Sequence, residues 1–342
     1  MMGQMSPRSR GRPSREDVLR ALDTAVDDLR GVGGLPLPLE AEAIWEGIWY
    51  EEAHHSTAIE GNTLILKEVE RLLREGKAVG SKELAEYLEV EGYAKAAQWV
   101  YAQAVQESPS WSRGKLISLT ELRQIHQRVV EPVWLHSPPD SLQAREGPGS
   151  FRKHDIRPFS GGVTPPPFPD VPAQITDWSE AANRGPSTDQ HPMLFVADLH
   201  ARLERIHPFR DGNGRTGRLA MNLLLVRHGY PPAVIYKRNR TQYLNALRRA
   251  DRGDSGPLAE MVARAVTDAI YRFLLPGLAG PHRLVPLRSL ADSQLSPNAL
   301  AVAAKRGRLR AIRKTDQWHS TRQWVEQYKE SRYRREPGAP GR

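Results

Sequence analysis

Residues 207–218 read His207-Pro208-Phe209-Arg210-Asp211-Gly212-Asn213-Gly214-Arg215-Thr216-Gly217-Arg218, and the apolar run Leu219-Ala220-Met221 and Leu223 to Val226 follows at once. That order predicts a tight loop opening into a buried helix. A helix start offers unbonded N–H groups and partial positive charge, so it is a ready site for phosphate. Gly212 and Gly214 let the backbone approach an anion with no Cβ in the way. Arg215 and Arg218 lie three apart, which suggests that both guanidiniums share one side of that anion. Asp211 is a hard oxygen ligand suited to Mg2+ carried on phosphates. His207 is the group in this stretch that can take a proton near neutral pH. Together these residue types point to phosphate-ester chemistry on a nucleotide.

The string also resembles the signature of the Fic family, His-x-Phe-x-(Asp/Glu)-Gly-Asn-Gly-Arg-x-x-Arg, at every fixed position. The resemblance implies transfer of AMP from ATP to a hydroxyl side chain of a target protein. It makes His207 the base and gives Asp211 the Mg2+. Gly212, Asn213 and Gly214 would line the anion hole, with Thr216 and Gly217 beside the nucleotide. Arg215 would meet the β-phosphate and Arg218 the γ-phosphate, while Phe209 anchors the loop in the core.

Upstream, Val18, Leu19, Leu22, Ala25, Val26 and Leu29 recur at helical spacing behind a Ser14 cap. A second helix is predicted from about Glu40 to Gly61-Asn62, a pair suited to a left-handed cap. It carries Ser56-Thr57-Ala58-Ile59-Glu60-Gly61, in which Ser56 and Glu60 share one face of an exposed helix end. An acid there opposes the helix dipole, which is better explained by a cation facing it. The segment resembles the inhibitory motif (Ser/Thr)-x-x-x-Glu-(Gly/Asn) of one class of Fic proteins. By that resemblance Glu60, with Ser56, occupies Arg218 and denies the γ-phosphate its clamp. The adjacent His54 and His55 point apart on a helix and do not suggest a metal site.

Between these segments, Lys67–Glu75 and Lys82–Val105 read as helices, and Ser118 with Glu121 forms a capping box for another. Residues 131–149, rich in Pro and Gly, read as a loop. Gly161-Gly162 is a turn signal between short extended segments, so a β-hairpin is expected there. It resembles the Fic flap, which would dock the target protein and bring Gly161 and Gly162 near the nucleotide. Downstream, helices are predicted over 171–182, 191–206, 240–251 and 258–275. Tyr243 could stack on a purine or belong to the core.

Of 342 residues, 49 are Lys or Arg and 40 Asp or Glu. From Pro281 onward there are 14 basic and 5 acidic residues, so the entire formal charge of +9 sits in the last 62 positions. That asymmetry points to an anionic partner, most simply DNA, or to a solvated basic tail. The order is a helix from Ser296, a basic Gly turn, two short strands around Thr315-Asp316, and a last helix. It resembles a winged helix-turn-helix, in which Arg306, Arg308, Arg310, Arg313 and Lys314 would meet phosphates. Cysteine is absent, which fits a reducing, cytoplasmic setting and excludes disulfides and thiolate metal sites. No apolar run is long enough to span a membrane.

The expected fold is therefore mainly α: a Fic-type helical core with a small β-hairpin flap and a small winged-helix-like module. The expected domains are a disordered basic arm at 1–15, an N-terminal helical region at 16–117 with the inhibitory helix at about 40–61, a catalytic core at 118–275 and a basic module at 284–335. The expected activity is protein adenylyltransfer, inhibited by Glu60, with ATP and Mg2+, and with a homodimer among the expected assemblies. The alternatives are removal of AMP at the same site and a nucleotide-sensing DNA-binding regulator.

Overall fold

The computed structural model describes residues 13–78, 80–105, 112, 114–138, 146–156, 164–281, 283–314 and 317–333. Ser14 opens α1 (Arg15–Arg30) with a reciprocal cap: its hydroxyl accepts from the Asp17 amide and the Asp17 carboxylate accepts from the Ser14 amide. Helix α2 (Glu42–Glu60) ends at Gly61, whose φ of 119° only glycine adopts without strain. This helix is not an exposed surface element. Trp45, Ile48, Trp49, Ala53, Ser56 and Thr57 are all buried, so it is a structural member of the core.

Short α3 (Leu66–Glu75) leads to α4 (Leu84–Val105), which packs along both α2 and α5 (Leu119–His136). Helix α5 corrects the loop expected over 131–149, because it runs through Pro132 to His136. Pro132 lacks the N–H that would bond the Arg128 carbonyl. Gly92 of α4 packs directly there: a Cβ on it would lie 3.1 Å from that carbonyl and 2.6 Å from the Val129 carbonyl. Close helix packing at a glycine thus keeps the proline in the helix.

Helices α6 (Val171–Arg184), α7 (Pro192–Ile206), α8 (Asn213–Arg227), α9 (Arg240–Ala250) and α10 (Gly256–Ala269) complete the main body. A π-turn, Ile270–Leu274, continues α10 into α11 (Leu275–Leu278). One hydrophobic cluster extends from Val18 to Leu275. Its centre is α8, buried on every side from Leu219 to Val226 and packed by α2, α4, α5 and α7. The anion turn is therefore mounted on a helix buried on every side and packed by four others.

The C-terminal segment has a core of its own, built from Leu287, Leu290, Leu295, Leu300, Leu309 and Val325. Its elements are β1 (Val285–Pro286), α12 (Pro297–Lys305), β2 (Ile312–Lys314), β3 (Gln317–Ser320) and α13 (Arg322–Tyr333). The three strands form an antiparallel sheet in the order β1-β3-β2, with Ile312 opposite His319 and Val285 opposite Ser320. Arg283 and Arg322 tie the segment to the main body through the Gly31 and Pro276 carbonyls. The arm at residues 1–12 and the turn at Gly161-Gly162 lie outside the described residues. Among the described residues no helix is long and apolar enough to cross a membrane.

Candidate active site

His207 ends α7 in the left-handed region, at a φ of 49° that few residues other than glycine adopt. Its amide caps the helix by donating to the Leu203 carbonyl at 3.1 Å. Its Nδ1 stands 3.2 Å from the Glu204 carbonyl, which can only accept, so the ring hydrogen sits on Nδ1 and the lone pair on Nε2. Burial pushes its pKa down to about 4. A neutral imidazole with Nε2 as acceptor is the form a general base requires.

The carbonyl of His207 is held by Arg152, whose Nε donates to it at 2.9 Å. The same buried guanidinium reaches the His154 and Pro166 carbonyls, and the Arg152 amide bonds the Pro208 carbonyl at 2.9 Å. Phe209, 1 % exposed, stacks on His126 with ring centroids 3.7 Å apart. His126 accepts from the Gly149 amide at Nδ1 and donates from Nε2 to the Asp211 carbonyl at 3.0 Å. Burial lowers its pKa to about 4, so it stays neutral in that role.

Gly212 has a φ of 74°, and a Cβ on it would lie 2.5 Å from Val130 Cγ1, so no other residue fits. The Asn213 side chain bonds both the amide and the carbonyl of Phe209, at 2.9 and 2.8 Å. Its amide group therefore clamps the loop, and what it can offer an anion is its backbone N–H. Gly214 opens the first turn of α8 toward α2, where a Cβ would fall 2.4 Å from Glu60 Oε1.

Arg218 is 3 % exposed and fully engaged by α2. Its Nε donates to Ser56 Oγ at 2.8 Å, and its Nη2 donates to the Ser56 carbonyl at 2.9 Å and to Glu60 Oε1 at 2.8 Å. Ser56 is thus buried where the sequence suggested an exposed helix end. Burial alone would raise the Glu60 pKa, but the Arg218 charge and hydrogen bond outweigh it and hold the carboxyl below its ordinary range. One turn before Ser56, Glu52 is wholly buried among Tyr93, Tyr101 and Asn222, and burial raises its pKa to about 7. Since Asn222 follows Arg218 by one turn of α8, α2 and α8 are joined by two polar rungs.

The two arginines do not share one side of the anion turn. Arg215 turns to Glu89 (3.2 Å) and Asp211 (3.3 Å), and lines a separate cavity of about 190 Å³. Each guanidinium is drawn to its own carboxylate partner, which overrides the shared face that their spacing suggests. Asp211 is 84 % exposed at the mouth of the turn. An exposed carboxylate beside an anion site, even one paired with Arg215, fits Mg2+, which keeps water and phosphate as most of its ligands. Among the described residues no cluster of three or more candidate side chains could hold a metal by itself.

His207, Gly214, Arg218 and Glu60 line a cavity of about 320 Å³. Its far end is walled by Leu244, Leu247, Arg248 and Asp251. Tyr243 lies in its wall but is only 2 % exposed, with its hydroxyl 2.7 Å from His200 Nε2. A wider groove of about 830 Å³, lined by Arg238, Asn245 and Arg264, does not touch residues 207–218. Arg152, Glu204 and Glu52 are site residues that sequence reasoning passed over. For Glu204 the available signal was an acid one turn before His207, next to the buried Leu203.

Residues 116–225 match the Fic/DOC family. The chain carries a Fic domain. Over 236 residues it is 31 % identical to the "Protein adenylyltransferase Fic" of Drosophila ananassae, covering 69 % of this chain and 44 % of that protein. Over 251 residues it is 34 % identical to the protein of the same name in Drosophila persimilis, covering 72 % and 46 %. The chain thus spans less than half the length of these curated relatives. The solved structure of Fic-1 (residues 134–508) from C. elegans superposes with a TM-score of 0.62 at 26 % identity, covering 77 % of this chain and 72 % of that one. A Fic family protein from Desulfovibrio desulfuricans G20 shares the fold at 20 % identity, with a TM-score of 0.54 over 93 % of this chain. The matched segment contains α5, α7 and nearly all of α8, so the Fic domain holds His207 and the anion turn, while the Glu60 contact comes from outside it.

Proposed function

We propose that this protein is a protein adenylyltransferase held in check by Glu60. The observation that carries the proposal is the neutral imidazole of His207 beside a glycine turn whose Arg218 is bonded to Glu60. A hydroxyl of a Ser, Thr or Tyr on the target attacks the α-phosphorus of ATP. His207 Nε2 takes the hydroxyl proton, the new O–P bond forms, the bond to the β-phosphate oxygen breaks, and pyrophosphate leaves. The backbone N–H groups of Gly212, Asn213 and Gly214 face the charge that builds on the phosphoryl oxygens. Mg2+ held by Asp211 would supply further positive charge to the leaving phosphates. Glu60, by occupying Arg218, removes the cation that would fix the γ-phosphate. The target is proposed to dock near Gly161 and Gly162, with Tyr243 in the wall of the base end. Labelled AMP transferred from α-labelled ATP by the Glu60→Gly protein, and lost in Glu60→Gly/His207→Ala, is the expected result; equal labelling of both rejects the base role.

A second function, DNA binding, is proposed for the C-terminal segment. It is supported by the exposed Arg306, Arg308, Arg310 and Arg313, grouped on the turn after α12 and on β2 of a helix, hairpin and helix arrangement. A cytoplasmic setting and a homodimer belong to the same proposal, the former supported by the absence of cysteine.

A further inference from the structure

Glu204 stands one turn before His207 on α7, and Oε1 of its carboxyl is shut off from solvent and has no hydrogen-bond partner among the described residues. The nearest candidate, His200 Nε2, is 4.0 Å away. That imidazole has no N–H to give. Burial lowers its pKa to about 3, so it is neutral; Nδ1 faces the Gly217 carbonyl, and Nε2 accepts from the Tyr243 hydroxyl at 2.7 Å. Nε and Nη2 of Arg218 are bonded to Ser56 and Glu60, so its charge acts on Glu204 without a hydrogen bond to it. Glu204 is also seated by design of the backbone: a Cβ on Gly217 would fall 2.3 Å from Oε1. A buried acid without a partner is costly, and it is kept where something else bonds it.

The side chain is 14 % exposed and lines the 320 Å³ cavity that also holds His207 and Arg218, so with Oε1 closed off a ligand there would meet Oε2. Resting on the nucleotide assignment of that cavity, we infer that Glu204 binds a ribose hydroxyl of the ATP and makes the site selective for ribonucleotides over deoxyribonucleotides. Position supports this. Residues three apart on a helix lie roughly 5–6 Å from each other. If the His207 imidazole stands at the α-phosphorus, the Glu204 carboxyl stands about one turn away in the same cavity, which Leu244 and Leu247 also line. The sugar is joined to that phosphorus through one ester oxygen and one methylene, so it must occupy that interval. Chemistry supports it as well. Burial raises the Glu204 pKa to about 7, so both protonation states are accessible. A phosphate oxygen would need the acid protonated and an exocyclic amine would need it ionised, whereas a hydroxyl both donates and accepts and suits either. Carboxylates read ribose hydroxyls in this manner in dinucleotide folds.

The test is nucleotide affinity by calorimetry in the Glu60→Gly protein, comparing ATP with 2′-deoxy-ATP and 3′-deoxy-ATP. ATP should bind roughly tenfold or more tightly than at least one deoxy analogue. Glu204→Ala should weaken ATP while leaving that analogue unchanged, bringing the ratio near one. Glu204→Gln should keep most of the selectivity, because an amide also bonds a hydroxyl. A loss of affinity shared equally by all three nucleotides would mean a merely structural role. Equal affinity for all three in the Glu60→Gly protein overturns the assignment even if Glu204→Ala fails to fold. If that protein binds no ATP at all, the nucleotide assignment falls first and this inference with it; ATP binding with a ratio that Glu204→Ala leaves unchanged overturns the inference alone.

Discussion

Glu60 and Arg218 meet across 158 positions of sequence, with carboxylate Oε1 2.8 Å from Nη2. The pair is asymmetric: the guanidinium is buried, while the Glu60 side chain is 41 % exposed at the end of its helix. Arg218 keeps two further bonds to Ser56 when Glu60 leaves, so the arginine remains in place and only its occupant changes. A hydrogen bond between charged groups is worth about 1.5–3 kcal/mol, and partial exposure places this one toward the lower end. Glu60→Gly should therefore raise AMP transfer by roughly 10- to 30-fold with little change in thermal stability. Initial rates at saturating ATP measure it, and equal rates for mutant and wild type would remove the inhibitory role.

The pH dependence of transfer should carry the mark of a buried base. An exposed histidine titrates near 6.5, but burial moves His207 down to about 4. Lowering the pKa of a base keeps it neutral, hence competent, down to lower pH. The free-enzyme profile of the Glu60→Gly protein should be flat on its acid side through about pH 6 and fall only as pH approaches 4. An acid limb centred near 6.5 in kcat/KM would mean that the imidazole is solvated or is not the proton acceptor.

The second rung between α2 and α8 should behave as a structural anchor. Asn222 Nδ2 donates to Glu52 Oε1 at 2.6 Å, and Asn222 Oδ1 accepts from the Ala233 amide at 2.9 Å. Asn222→Leu leaves a buried carboxyl short of a donor and a buried amide short of an acceptor. The expected cost is about 2–4 kcal/mol in urea unfolding. Asn222→Leu should also raise AMP transfer, because Glu52 helps to seat the helix that carries Glu60. Destabilisation without activation would separate the anchor from the inhibition.

Gly212→Ala probes the turn itself. The new Cβ would sit 2.5 Å from Val130 in a backbone conformation at φ 74°. Left-handed backbone costs an L-residue roughly 1–2 kcal/mol before the clash is counted. The turn should open, and ATP affinity measured by calorimetry should fall more than tenfold. Unchanged affinity would mean that the loop amides do not hold the phosphates.

The parts of the site that could be read in the sequence are those whose chemistry is local. His207, Asp211 and the glycines lie within one loop, and the Glu60 motif carries its own glycine cap. Residues that work only through distant packing left no such trace. His126 steadies Asp211 from 85 positions away and Arg152 holds His207 from 55, so neither can be told from an ordinary core or surface residue by spacing. Pro132 misled because proline usually ends a helix, and the glycine that accommodates it lies on another helix. The opposed directions of Arg215 and Arg218 were hidden for the same reason: Glu89 and Ser56 are far from both in sequence.

DNA binding by the C-terminal segment has a quantitative signature. Five phosphate contacts, from Arg306, Arg308, Arg310, Arg313 and Lys314, would release about five counterions from duplex DNA. Affinity should then fall with salt at a logarithmic slope of roughly −4.5, a loss of two to three orders of magnitude between about 50 and 200 mM. Arg308 is exposed just after Gly307, whose φ of 68° sets the turn, so its removal should spare the fold. Arg308→Ala should lower the slope by about one and weaken all sequences alike. Arg310 differs, because its guanidinium also lies 4.1 Å over the Trp324 ring, and its loss should reduce stability as well as binding. Fluorescence anisotropy with a labelled duplex reads both effects. No binding at about 50 mM salt would reject the DNA assignment and leave the basic turn as a surface for an acidic protein.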